Sequence, residues 1–137
     1  MPSRKEKMMK LLTLCFTTYT KLDLSGLGLD DDIVEIIVEL LKKNNAVKEI
    51  NLSNNKITNK GAIRLADVLY ENDTLEILWL SNNYILSTGA EFLAGPLSYR
   101  PTQFRLFING NNIDFGSYSI NNAMIQNPNF KALFDKN

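Results

Sequence analysis

Side chains that could perform catalysis are scarce in this 137-residue chain. The sequence contains no histidine and a single cysteine, Cys15. Serine–histidine catalysis, cysteine–histidine catalysis and a zinc site built on cysteine and histidine all need residues that are missing. No Gly-rich phosphate loop of the Walker or dinucleotide type is present. We therefore predict a protein that is not an enzyme and that uses no cofactor, metal ion or small-molecule substrate.

The densest group of possible metal ligands is Asp30, Asp31 and Asp32. These carboxylates lie where a helix is predicted to begin, and the helix dipole favours negative charge there. Calcium requires more oxygen ligands than this cluster offers. We interpret the three aspartates as helix capping.

Trp79 and Phe107 offer a different chemistry, which is binding through large aromatic rings. They lie 28 residues apart, in two of four segments that share the pattern L-x-L-x-x-N-x-L. The segments are LDLSGLGL from Leu22, INLSNNKI from Ile50, LWLSNNYI from Leu78 and LFINGNNI from Leu106. A repeat of this length predicts a stack of similar units, which provides a binding surface rather than an enclosed cavity.

Within each unit the hydrophobic period changes from 2 to about 3.6, which predicts a strand followed by a helix. Ile50 and Leu52 alternate with polar neighbours, so both are expected to face the core. After this strand, Leu65 and Leu69 share one face of the predicted helix, which packs behind the strand.

Size and composition predict a single domain spanning residues 1–137. Ser3 and Glu6 form a capping-box pattern, which predicts a helix from Arg4 to about Cys15 within an N-terminal cap of residues 1–21. Its inward residues are predicted to be Met8, Met9, Leu11, Leu12 and Cys15. Repeats start near residues 22, 50, 78 and 106, and residues 130–137 form a partial repeat or a C-terminal cap.

The extended motif LEILWLSNNYI resembles the leucine-rich repeats of the ribonuclease-inhibitor type, and the resemblance covers about Tyr19 to Leu133. It implies an α/β solenoid, or horseshoe, with parallel strands on the concave face and helices on the convex face. Such proteins mostly bind other proteins, so a protein partner is implied. The short stack and the Asn-, Lys- and Ile-rich composition also resemble bacterial GALA-like effectors.

The expected location of the protein follows from its resemblance to these effectors and from its amino terminus. The apolar run LLTLCF is too short for the core of a signal peptide. We expect the protein to be cytoplasmic, or to be secreted into a host cytosol by a route that needs no signal peptide.

Asn55, Asn83 and Asn111 occupy the asparagine position of the repeat. Backbone groups are left without ladder partners where each strand turns into its loop, and a carboxamide supplies both a donor and an acceptor. We predict that the three residues form a structural asparagine ladder.

The binding site is predicted at the outward strand positions, whose identity the repeat does not fix. Parallel strands about 4.8 Å apart align these positions into columns. One column reads Asp23, Asn51, Trp79, Phe107 and, if a last strand forms, Phe134; the column before it reads Lys21, Glu49, Ile77 and Arg105. A Trp–Phe pair beside an arginine is typical of a protein–protein hot spot. The predicted partner-binding residues are Ile77, Trp79, Arg105, Phe107, Asn51, Glu49 and Phe134.

Alternative interpretations remain at this point. The chain after Phe130, or a further segment, could fold over the two rings. The protein could also regulate a small GTPase by supplying an arginine, for which Arg64, Arg100 and Arg105 are candidates. Fifteen basic and fifteen acidic residues cancel, which disfavours nucleic acid or a membrane as the partner.

Overall fold

Strands and helices alternate along the chain in the computed structural model, which describes residues 1–114 and 118–133. The elements in these ranges are α1 (Arg4–Thr18), β1 (Lys21–Asp23), α2 (Asp31–Lys43), β2 (Glu49–Asn51), α3 (Asn59–Leu69), β3 (Ile77–Trp79), α4 (Ser87–Leu97), β4 (Phe104–Phe107), α5 (Tyr118–Gln126) and β5 (Phe130–Leu133).

All five strands form one parallel sheet, in the order β1-β2-β3-β4-β5. Each strand therefore pairs with the next one along the chain, and a helix provides each crossover. Successive helices contact one another on one side of the sheet. The prediction of an α/β fold with a parallel sheet and repeated helices is confirmed, whereas the horseshoe curvature stays a prediction.

The core lies between the sheet and its helices because alternate residues of each strand point towards the helices. One row of these residues is buried along the whole sheet: Leu22, Ile50, Leu78, Leu106 and Ala132. Leu65 on α3 and Leu93 on α4, which are 28 residues apart, are buried as well. Replacing any one of these leucines by alanine removes packing worth about 2–5 kcal/mol.

Helix α1 differs from its prediction in length and in the face it buries. Ser3 Oγ accepts a hydrogen bond from the Glu6 N–H at 3.1 Å, but the helix continues to Thr18. Leu12 and Phe16 are its buried residues, while Met9 and Leu11 are exposed. The prediction that Met9 and Leu11 face inward was therefore wrong. Helix α1 packs mainly against α2 at the end of the stack, so only a narrow stripe of its surface is buried.

Strand β5 lies two residues earlier in the chain than the 28-residue repeat predicts. Trp79 pairs with Phe107, 28 residues later, but Phe107 pairs with Leu133, 26 residues later. The predicted column position of Phe134 was therefore wrong, since Leu133 occupies the position next to Phe107. Phe134 itself lies outside the described residues. The shift arises because the fourth unit is two residues shorter than the others.

Candidate functional site

The outward side chains of the strands form a surface that we call the open sheet face. It carries two columns, whose members are neighbours in the strand register. The first column is Lys21, Glu49, Ile77, Arg105 and Lys131, and the second is Asp23, Asn51, Trp79, Phe107 and Leu133. The structure thus brings together six of the predicted partner-binding residues: Glu49, Asn51, Ile77, Trp79, Arg105 and Phe107.

Trp79 and Phe107 stack on each other at the centre of the C-terminal half of this face. Their ring centroids are 5.1 Å apart and their planes differ by 9°. The separation is close to the spacing of about 4.8 Å between neighbouring strands, so the backbone register itself sets the stack. Both rings are only half-buried. Ile77 is likewise half-buried and precedes Trp79 by two residues on the same face.

Cations lie beside these apolar side chains. Arg105 and Lys131 are exposed and are direct neighbours in the register of β4 and β5. Neither makes a salt bridge to another described residue. The apolar cluster of Ile77, Trp79 and Phe107 is therefore bordered by two positive charges.

The N-terminal half of the open sheet face is polar, and its side chains bond within the chain. Lys21 Nζ lies 3.8 Å from Glu49 Oε1. Asp23 Oδ1 accepts hydrogen bonds from the hydroxyl of Ser25 at 2.6 Å and from its N–H at 3.1 Å, and these bonds lower the pKa of the Asp23 carboxyl. Asn51 Oδ1 accepts from the Ser53 N–H at 2.9 Å. Each of these polar side chains thus has a partner within the chain.

The three asparagines of the repeat lie behind the open sheet face, where the strands turn into loops. Asn83 Nδ2 donates to the carbonyls of Leu52 at 3.0 Å, Leu80 at 3.0 Å and Ser81 at 3.3 Å, and its Oδ1 accepts from the Ile57 N–H at 3.1 Å. Asn55 and Asn111 make the same kinds of bonds one unit earlier and one unit later. Each side chain thus joins its own turn to the preceding unit.

A second set of side chains caps helices across units, which sequence reasoning missed. Asp31 Oδ1 accepts from the N–H groups of Thr58 at 2.9 Å and Gly61 at 3.1 Å, at the start of α3. Asn59 Oδ1 accepts in the same way from Leu86 at 2.8 Å and Gly89 at 3.1 Å, at the start of α4. Asp30, in contrast, caps its own helix through the Ile33 N–H. The signal for this set was the 28-residue spacing of Asp31 and Asn59.

A third set fixes the loops that lead into the strands. Asn72 Nδ2 donates to the carbonyls of Leu41 at 2.9 Å and Asn44 at 3.2 Å, and Asn127 repeats these bonds later in the chain. Arg100 occupies the corresponding position in the third unit. Its guanidinium donates to the carbonyls of Leu69 at 2.9 Å and Leu75 at 2.7 Å.

Arg100 is 3% exposed, and its guanidinium lies 4.9 Å from the centre of the Phe104 ring. Burial lowers the pKa of Arg100, since desolvation disfavours the charged form. Among the GTPase-regulator candidates, Arg100 is therefore structural. Arg64 bonds to Glu35 at 2.9 Å and Asp67 at 2.8 Å, with Glu35 as the main cause of its raised pKa. Arg105 alone of the three is exposed and free of described ion pairs.

Metal-ligand clusters and membrane-spanning helices are two further features to consider among the described residues. No group of three or more histidine, cysteine, aspartate or glutamate side chains converges there on a point that could hold a metal ion. Across residues 1–114 and 118–133, no helix combines the length and the apolar character that crossing a bilayer requires.

Comparisons with known proteins agree with the repeat architecture. The family model described as Leucine Rich Repeat matches residues 74–95, which contain β3 and the start of α4. A solved structure titled leiomodin-1 actin-binding site 2 superposes with a TM-score of 0.76 at 19% sequence identity, covering 98% of this chain and 82% of that one. A tropomodulin C-terminal domain from Caenorhabditis elegans superposes with a TM-score of 0.79 at 11% identity, covering 98% of this chain and 84% of that one. No curated protein matches significantly.

One leucine-rich repeat is thus matched within residues 74–95, and the fold of the chain is similar to that of the two solved structures, which agrees with the leucine-rich-repeat interpretation of the motif. The ribonuclease-inhibitor type and the likeness to GALA effectors stay predictions.

Proposed function

We propose that this protein is a non-enzymatic interaction module that binds a protein partner through the C-terminal half of its open sheet face. The observation that carries the proposal is the stacked pair of Trp79 and Phe107, half-buried beside Ile77 and Arg105. Large aromatic side chains with a neighbouring arginine dominate the binding energy of many protein interfaces.

The dimensions of the face suit such a role. Five strands at about 4.8 Å span roughly 20 Å across the sheet. A standard interface buries about 800 Å² on each partner. We expect the open sheet face and its flanking loops together to bury an area of this order.

The partner is proposed only by class. Actin is a sensible first test, because one structural neighbour is named for an actin-binding site, although an identity of 19% carries the fold alone.

We further propose that the protein works in a reducing cytosol, its own or that of a host cell, where the lone Cys15 needs no disulfide partner. The GTPase-regulator alternative keeps Arg105 as its one exposed candidate, and no described geometry favours it over simple binding.

Affinity capture with wild-type protein and Trp79→Ala tests the proposal. Trp79→Ala is expected to stay folded and to weaken capture by at least about 2 kcal/mol, the scale of a hot-spot residue. Phe92→Ala is the matched control, since Phe92 is 50% exposed on helix α4, away from the strands. Equal capture by wild type and folded Trp79→Ala would remove the open sheet face as the binding site.

A stimulated-hydrolysis assay with small GTPases examines the alternative. Faster hydrolysis that disappears in Arg105→Ala would favour a regulator, whereas unchanged hydrolysis with retained binding supports an adaptor.

A further inference from the structure

Charge is distributed unevenly over the open sheet face. The acidic residues Asp23 and Glu49 lie on β1 and β2 together with the cation Lys21, whereas β4 and β5 carry the two cations Arg105 and Lys131 and no carboxylate on this face. The stacked rings of Trp79 and Phe107 lie between these two ends. A partner that covers the rings therefore lies near carboxylates on the β1–β2 side and near cations on the β4–β5 side.

The acidic end is largely satisfied within the chain. Glu49 is near Lys21 at 3.8 Å, and Asp23 accepts two hydrogen bonds from Ser25. The Ser25 bonds stabilise the Asp23 carboxylate, so both carboxylates at this end already have a partner within the chain.

The cations at the basic end have no salt-bridge partner among the described residues. Arg105 and Lys131 are exposed register neighbours on adjacent strands. Like charges side by side on neighbouring strands repel each other, and a carboxylate placed near both would remove that repulsion. An approaching aromatic or aliphatic group would at the same time cover Phe107 and Leu133 in the next column.

Resting on the proposed function, we infer that the partner presents an acidic segment, in which a bulky apolar side chain packs on Trp79 and Phe107 and a neighbouring Asp or Glu reaches Arg105 and Lys131. The apolar contact supplies most of the affinity. The charge contact supplies orientation and raises the association rate.

Single-stranded nucleic acid also combines negative charge with rings that stack on aromatic side chains. The observations favour an acidic peptide instead. Nucleic acid requires a positive groove that follows its backbone, but β1 and β2 carry the carboxylates of Asp23 and Glu49 on this face beside the cation Lys21, so positive charge does not continue along it. The whole chain has a formal net charge of zero.

Trp79 makes the test simple, because it is the only tryptophan in the chain. Its fluorescence reports directly on the open sheet face. The full chain is panned against a displayed library of random peptides, and selected peptides are titrated while Trp79 fluorescence is recorded. A single-stranded oligonucleotide of mixed sequence is titrated in parallel.

The expected result is enrichment of peptides that carry a large apolar residue next to Asp or Glu. Their affinity should fall at least tenfold with the double variant Arg105→Glu and Lys131→Glu, and should weaken as salt is raised. The same variant should prefer peptides in which Lys replaces the acidic residues. Lys56→Glu with Lys60→Glu is the control, because both lysines are exposed but lie outside the strands, and it should bind like wild type.

Other outcomes separate the two proposals. Peptides that depend on Trp79 but contain no acidic residue, or that bind the double variant equally well, would overturn the acidic segment and leave the binding face intact. A library without binders, or binders unaffected by Trp79→Ala, would count against the binding face itself. Preferential binding of the oligonucleotide would overturn the choice of a protein partner.

Discussion

Asn83 and Trp79 lie four residues apart on the same turn of the stack, yet the two positions follow opposite rules. At the Asn83 position, asparagine recurs in three successive units and makes equivalent hydrogen bonds each time. At the Trp79 position, the residue changes at every strand. Repetition marks places where the backbone needs a fixed partner, and variation marks places where the fold leaves the side chain free for binding.

The largest expected effect follows from breaking the repetitive region. Asn83→Leu removes three donated bonds and one accepted bond, so buried backbone groups of two successive turns lose their partners. A loss of about 3 kcal/mol in the free energy of unfolding is expected, measured by urea denaturation. Asn54→Gly serves as a control, because Asn54 is exposed at a φ of 58° that glycine adopts freely. An unchanged midpoint for Asn83→Leu would contradict the ladder.

Arg100→Ala tests an exception within the repetitive region. The variant leaves the carbonyls of Leu69 and Leu75 without their guanidinium donors and removes the contact with Phe104. Removing the buried charge offsets part of this loss. A net destabilisation of about 2 kcal/mol is expected in the same denaturation assay. A variant as stable as wild type would contradict this expectation. The free-energy cost of desolvating Arg100 would then equal the free energy that its hydrogen bonds contribute to folding.

Phe107→Ala should separate binding from stability. The ring is half-buried, so its removal should cost about 1 kcal/mol of folding free energy through the lost stack with Trp79. Binding of a partner or selected peptide should fall at least tenfold, about 1.4 kcal/mol, as measured by calorimetry. The reverse pattern, a large stability loss with unchanged binding, would place Phe107 in the core and not in the interface.

Glu49→Gln should have the smallest effect. The pair between Glu49 and Lys21 is on the surface, where such ion pairs contribute little. A change below about 0.5 kcal/mol in stability is expected from thermal or urea unfolding. A markedly larger loss would mean that the polar half of the open sheet face contributes to folding. The strand positions would then not differ in this respect from the asparagine turns.

The sequence predicted the features that repeat at a constant spacing. The parallel strands, the order of the elements and the neighbouring positions of Trp79 and Phe107 all follow from four copies of one motif. Alternation of polar and apolar residues was enough to separate the core row from the open sheet face, because a strand has a period of two.

Features that break the spacing could not be predicted. The column position of Phe134 was wrong because the fourth unit is two residues shorter, and a shortened loop does not show in the motif itself. The caps formed by Asp31 and Asn59 join helix starts 27 to 30 residues away, so local capping patterns do not predict them. Arg100 was a candidate for a GTPase regulator's arginine, but its guanidinium replaces an asparagine amide as a buried donor.

Acrylamide quenching of Trp79 fluorescence tests the central claim most directly, because the account requires this single tryptophan to be accessible on the open sheet face of the folded protein. We predict efficient quenching in the native state, with a further increase in Phe107→Ala and no change in Phe92→Ala. A tryptophan that resists the quencher until the chain is unfolded by urea would contradict the account, since the ring would then lie under a cover or inside the core.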